Sequence, residues 1–264
     1  MPRAEAFVAE NLYVRRAARE NPQYRLFCFP HAGAGVSTFA SWPALLPRSI
    51  EVVAVQLPGR EDRIRETAFA DIKPLIRILA LSLAPHLHGR FAFFGHSGGA
   101  LMAFELARAL SRGHAVQPAM LIVSGQSAPD LSPSAEPIHH LPDAEFIGAL
   151  REIGGTTRMV VDDPDLMAVL LPALRADFTL LETYGYEPGP QLDMPIVAFG
   201  GRHDRRVPDE TVDPWRRHTA GHFATQLFDG DHFYLAARPD EVTHRLADLL
   251  TGAGVSAEQD GAAS

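Results

Sequence analysis

The stretch Phe91-Ala92-Phe93-Phe94-Gly95-His96-Ser97-Gly98-Gly99-Ala100 constrains this chain more than any other. Its four opening apolar residues read as a buried strand. Leu101, Met102, Phe104, Leu106, Ala107 and Leu110 follow at helical spacing. The reversal between them is left to Gly95-His96-Ser97-Gly98-Gly99, which fits the G-x-S-x-G pattern. So abrupt a turn strains its central residue, and its neighbours must lack a Cβ for the chain to pass itself closely. The Ser97 hydroxyl is then exposed at the tip, as a nucleophile must be. The Gly98 N–H falls in the first turn of a helix, where an oxyanion is favoured.

Strands and helices alternate on both sides of this segment. Leu26-Phe27-Cys28-Phe29, Glu51 to Leu57, Met120 to Ser124, Pro195 to Gly201 and Thr225 to Phe228 read as strands, with Leu12-Tyr13-Val14 as a short edge strand. Phe39, Trp42, Leu45 and Leu46 have helical spacing, as do Ile72 to Leu87, Thr211 to His218 and Val242 to Leu250. Short connections between such elements predict an α/β fold, a doubly wound and mostly parallel sheet, in a single domain over 1–264. From 128 to 190 the pattern changes. Pro129, Pro133, Pro137 and Pro142 open a stretch without a clear strand, with helices expected at 143–153, 165–171 and 174–184. This reads as a helical lid insertion whose apolar residues (Phe146, Leu150, Met159, Leu166, Leu170, Phe178, Leu181) mostly form its own core. Residues 251–264 are Gly, Ala, Ser and acids with little apolar content, and are expected to be disordered.

A serine hydroxyl becomes a useful nucleophile when an imidazole takes its proton. Among the twelve histidines, His232 stands out because it follows the last strand within a Gly-Asp-His turn. Asp204 lies just past the strand ending at Gly201, on the rim that carries Ser97. Asp130, after the strand that follows the elbow, is the rival acid. Asp231 reads as a turn residue and His96 as structural. Ser97, Asp204 and His232 occur in the order serine, acid, histidine, which is the order of the α/β-hydrolase fold. In that fold the loop after an early strand supplies the second oxyanion N–H. Here the loop is Pro30-His31-Ala32-Gly33-Ala34-Gly35, and the donor is placed on Ala32.

Composition removes other classes. A formal charge of −8 argues against nucleic acid as a partner. No apolar run is long enough to cross a bilayer, and no secretory signal is evident, so a cytoplasmic enzyme is expected. Cys28 is the single cysteine and reads as a core residue. With no glycine-rich phosphate loop, and His139-His140 and His203 without companion ligands, neither a cofactor nor a metal is expected. By composition alone, Arg60-Glu61-Asp62-Arg63 reads as solvated surface.

Over residues 12–250 the chain resembles the stand-alone type II thioesterases that accompany polyketide and non-ribosomal peptide synthases. The resemblance rests on Leu26 to Gly33, Gln56-Leu57-Pro58-Gly59-Arg60-Glu61, Gly95-His96-Ser97, Leu171-Pro172-Ala173-Leu174-Arg175-Ala176-Asp177 and Gly230-Asp231-His232-Phe233. It turns Arg60 and Glu61 into a structural or site-shaping signature. One departure stands out: the family usually carries a larger residue, often Met or Leu, where this chain has Gly98. The resemblance implies a monomeric enzyme that hydrolyses acyl groups from phosphopantetheine on acyl or peptidyl carrier proteins, clearing stalled or mis-primed synthases. Arg202, Arg205, Arg206, Arg216 and Arg217, dense near the acid loop, are expected to help dock the carrier. Other readings of the triad are a general carboxylesterase or lipase, an acyltransferase, or a non-catalytic binding protein.

Overall fold

The computed structural model describes residues 7–113, 116–131, 136–154 and 162–252. Eight strands form one sheet: β1 (Val8–Ala9), β2 (Val14–Ala17), β3 (Tyr24–Phe29), β4 (Ile50–Val55), β5 (Phe91–His96), β6 (Leu121–Ser124), β7 (Ile196–Gly201) and β8 (Phe223–Phe228). Their order is β1-β2-β4-β3-β5-β6-β7-β8. The β1–β2 and β2–β4 pairs are antiparallel and all the others parallel. The parallel strands are apolar on both faces because both faces are covered. Phe27, Phe29, Val53, Val55, Phe91 and Phe93 pack with α2 (Ile72–Leu83) and α3 (Gly98–Gly113). The alternate residues Leu26, Cys28, Val52, Ala54, Ala92 and Phe94 pack with α1 (Trp42–Leu45) and with the C-terminal helix Pro239–Thr251.

Several elements depart from the sequence reading. The expected edge strand begins only at Val14, runs to Ala17, and lies inboard of β1. Leu45 is exposed, because the Phe39–Leu46 region is a 3₁₀ turn and one helical turn in place of a longer helix. Helix α2 stops at Leu83 and a 3₁₀ turn carries the chain over Ala84–His86, since Pro85 has no N–H to continue the α ladder. The region 211–218 likewise forms 3₁₀ turns, Asp209–Thr211 and Asp213–His218, around Pro214. Arg60 and Arg63 are buried, so the Arg60–Arg63 cluster is not simply solvated surface.

Between β6 and β7 the described residues hold two helices, α4 (Asp143–Ile153) and α5 (Pro164–Glu182). The expected break at Pro172 does not occur. Pro172 and Ala168 both face solvent, so the Ala168 carbonyl that loses its intrahelical donor can bond water instead. Helix α5 starts where Asp163 accepts from the N–H groups of Asp165 and Leu166. A small separate core joins Phe146, Leu150, Met167, Leu174 and Phe178. Leu166 is exposed, and Leu181 packs against the main core. Met159 and the tail beyond Gly252 lie outside the described residues.

Candidate active site

Strand β5 ends at His96 and α3 begins at Gly98, so Ser97 alone makes the reversal. Its φ of 52° lies in the left-handed region that a residue with a side chain rarely adopts. Its N–H donates to the Ser124 carbonyl at 2.7 Å, which ties the turn to β6. A Cβ on Gly95 would lie 2.1 Å from the Gly99 carbonyl oxygen, and one on Gly99 2.1 Å from that of Phe29. Both flanking glycines are therefore required by backbone packing.

Asp204 and His232 come from the neighbouring strand ends. His232 Nδ1 donates to Asp204 Oδ2 at 2.7 Å, and both residues are buried. The other carboxylate oxygen accepts from the backbone N–H groups of Arg206, at 2.8 Å, and Val207, at 3.1 Å. Those bonds aim the Asp204 carboxylate, and the carboxylate fixes the imidazole with its proton on Nδ1. The turn delivering His232 is stabilised by Asp231, whose side chain accepts from the Phe233 N–H at 2.8 Å. Asp130 is occupied elsewhere: it accepts from His218 Nε2 at 2.9 Å and pairs with Arg217 at 3.2 Å.

His96 is buried, its Nδ1 lying 2.9 Å from Ser124 Oγ, which in turn lies 2.5 Å from the Tyr234 hydroxyl. Burial holds the His96 imidazole well below the usual histidine range and lifts the Tyr234 hydroxyl well above its own. His31 packs edge-on against His96 and Phe233. Burial, with the His232 imidazole and the Arg60 guanidinium nearby, lowers its pKa to about 4. Burial thus favours the neutral form of both the His31 and the His96 ring.

Two cavities meet at this rim. The larger, about 190 Å³, is lined by Gln126, Ser127, Glu136, Glu182 and Tyr184 among others. The smaller, about 40 Å³, is more apolar, with Ala32, Leu150, Ile153, Leu174, Phe178 and Phe233. Ser97, His232, Leu181 and Arg206 line both. The structure therefore gathers Ser97 and His232 on shared walls, with Asp204 behind the imidazole and Ala32 on the smaller chamber. Two wall residues have other roles in the sequence reading, Leu181 with the lid core and Arg206 with the docking arginines. Leu181 sits in the hollow left by Gly98: a Cβ there would lie 2.9 Å from both Leu181 methyl carbons. Arg206 belongs to the cavity instead of an outer arginine patch, and Arg216 is forked onto Asp213 at 2.9 and 2.7 Å. Arg202 and Arg205 are exposed.

A model of the thioesterase domain matches residues 24–250. The gramicidin S biosynthesis protein GrsT of Aneurinibacillus migulanus is 40% identical over 223 residues, covering 84% of this chain and 87% of that protein. Thioesterase PikA5 of Streptomyces venezuelae is 39% identical over 245 residues, 92% of this chain and 87% of that one. Among solved structures, the type II thioesterase BorB from the borrelidin biosynthetic cluster superposes with a TM-score of 0.84 at 36% identity, over 92% of this chain and 99% of that chain.

Proposed function

The chain belongs to the thioesterase family, and from that premise we propose that it is a type II thioesterase. It removes acyl groups from phosphopantetheine on the carrier proteins of a polyketide or non-ribosomal peptide synthase, freeing stalled or mis-primed modules. The observation that carries this reading is the constellation at the rim: a serine on a left-handed turn opens onto the same cavities as an imidazole held by a carboxylate at 2.7 Å.

The chemistry follows from that constellation. Ser97 Oγ attacks the thioester carbonyl while His232 Nε2 takes its proton, and the Asp204 carboxylate stabilises the imidazolium without being protonated. The Ala32 and Gly98 N–H groups hold the tetrahedral oxyanion. Collapse breaks the C–S bond, and the pantetheine thiolate leaves with the proton from His232. Water, deprotonated by the same imidazole, then attacks the acyl-serine; the C–O bond to Ser97 Oγ breaks as His232 returns its proton to that oxygen, releasing the carboxylic acid and free Ser97. No cofactor enters this sequence, since the pantetheine arrives on the partner. The helices between β6 and β7 act as a lid over the chambers.

The test is mass spectrometry of carrier proteins loaded with varied acyl groups, before and after incubation with the enzyme. Deacylated carrier and free acid are expected. Faster turnover of a matched oxygen ester would favour a general esterase, and an acylated acceptor other than water would make the protein a transferase. For the carrier partner, Arg202→Glu with Arg205→Glu should raise KM for acyl-carrier substrate while sparing a small acyl thioester. Equal effects on both substrates would remove that docking surface.

A further inference from the structure

The loop that carries Ala32 is gripped from the far side by two chain segments distant in sequence. Its tight turn closes with the Ala34 N–H on the His31 carbonyl at 3.0 Å, and Gly33, its third residue, has φ of 77°. A turn with positive φ at this position differs from its common alternative by a flip of the central peptide, here Ala32–Gly33. The N–H of that peptide donates to Asp177 Oδ2 at 2.7 Å. Asp177 lies on α5, with both carboxylate oxygens bound by Arg60: Nη1 to Oδ2 and Nη2 to Oδ1, each at 2.8 Å. Arg60 Nη1 also donates to the Ala34 carbonyl at 3.1 Å. Both side chains are nearly inaccessible, at 5% and 3% exposure. Gly33 presses on the same helix, since a Cβ there would lie 2.4 Å from Leu174 Cδ2.

We propose that the buried Arg60–Asp177 pair is a positioning device for the oxyanion site: by pinning the Gly33 N–H and the Ala34 carbonyl it locks the His31–Ala34 turn in one form, and so holds the segment that presents the Ala32 N–H to the reacting carbonyl. This inference rests on the assignment of Ala32 as an oxyanion donor. A pair serving only to hold the fold could bind any surface of the loop. This one binds the single N–H whose orientation defines the turn, and Arg60 takes the Ala34 carbonyl at the end of the same turn. It also joins the helix over the chambers to the hole itself. Donors to an oxyanion work only when held where the charge develops, so a loosened turn should slow turnover with little change in substrate binding.

The experiment compares Asp177→Asn, Arg60→Lys and the double variant Arg60→Met with Asp177→Leu on a small soluble acyl thioester, with Ser97→Ala as reference. Folded fraction and melting temperature are measured beside kcat and KM. An apolar pair of similar volume can replace a buried ion pair without loss of stability, so the double variant separates folding from positioning. The expected result is kcat down by roughly 10²-fold at near-constant KM, in the double variant as in Asp177→Asn, even where melting recovers. A boronic acid that forms a tetrahedral adduct on serine should lose affinity in step with kcat/KM. Wild-type kcat in the stable double variant would overturn the proposal. Should that variant not fold, Arg60→Lys decides: it keeps the charge but not the fork, and an unchanged kcat overturns the inference. Full turnover by Ser97→Ala would instead overturn the serine mechanism on which the inference stands.

Discussion

The rim of the sheet and the helical segment between β6 and β7 both wall the same chambers, yet they hold their residues in opposite ways. On the rim, backbone does the positioning. Ser97 is set by its own φ and by its N–H on Ser124, and Asp204 by two backbone donors from its own turn. In the helical segment, side chains do it. Arg175 reaches the His139 and Leu141 carbonyls, Glu182 accepts from the N–H groups of Ile138 and His139, and Asp177 grips Arg60. Parallel strand ends give the chemistry a frame that tolerates little variation, whereas a wall held by side chains can be reshaped by single substitutions. Apart from Asp177, which reaches back with Arg60 to the oxyanion loop, reaction and selectivity should therefore separate by region.

The largest expected effect belongs to the rim. Ser97→Ala should lower kcat by on the order of 10⁶-fold. Ser97→Gly should be equally inactive yet more stable than Ser97→Ala by about 1 kcal/mol, since glycine relieves the left-handed strain. Calorimetry beside steady-state kinetics checks both, and a Ser97→Gly protein no more stable than Ser97→Ala would remove backbone strain from the account. Asp204→Asn should cost about 10⁴-fold in kcat through loss of the imidazole's orientation. Asp130→Asn should leave kcat unchanged, because Asp130 serves His218 and Arg217. A loss for Asp130→Asn equal to that for Asp204→Asn would break the assignment.

The helical wall should answer in selectivity. Gly98→Leu drives a side chain into the space held by the Leu181 methyls, and Leu181→Ala vacates it. Each should shift the ratio of kcat/KM between short and longer acyl thioesters, by roughly ten- to a hundred-fold. The pair combined should return part of the way, since each fills what the other empties. Strictly independent effects in the double-mutant cycle would mean that the two residues do not share one hollow.

The smallest effect expected concerns stability against pH. His31 has its pKa lowered to about 4, and burial holds His96 well below the usual range. An unfolded histidine titrates near 6.5, so below that pH the unfolded chain binds more protons than the folded one. Stability should then fall as pH drops from about 6.5 towards 4, and His31→Asn should flatten the fall. Urea midpoints across this range measure it, and a slope unaltered by the substitution would contradict the assigned cause.

What the sequence disclosed divides along the same line. The elbow, the strand ends and the two residues that follow them are local signals: glycines where no Cβ fits, and polar residues just past apolar runs. The alternation likewise gave the sheet and the order of its strands along the chain, although not their order across it. The helical segment was harder to read because its decisive contacts are remote. Arg60 and Asp177 are 117 residues apart, and nothing near either one names its partner. A clue was present: Asp177 stands at i+3 from Leu174 and i−4 from Leu181, an acid on the apolar face of a helix. Pro172 suggested a break because the solvent exposure that makes it tolerable is a tertiary property. Leu181 looked like a core residue, since only the absent side chain of Gly98, far back in the chain, turns it towards the cavities.

The most direct test is rapid-quench mass spectrometry of the enzyme mixed with an acyl-loaded carrier protein, followed by peptide mapping of any covalent adduct. The account predicts a transient acyl mass on the peptide containing Ser97, formed and lost on the timescale of turnover and missing in Ser97→Ala. Turnover with the acyl group found on a different residue, or persisting at full rate without Ser97, would contradict it.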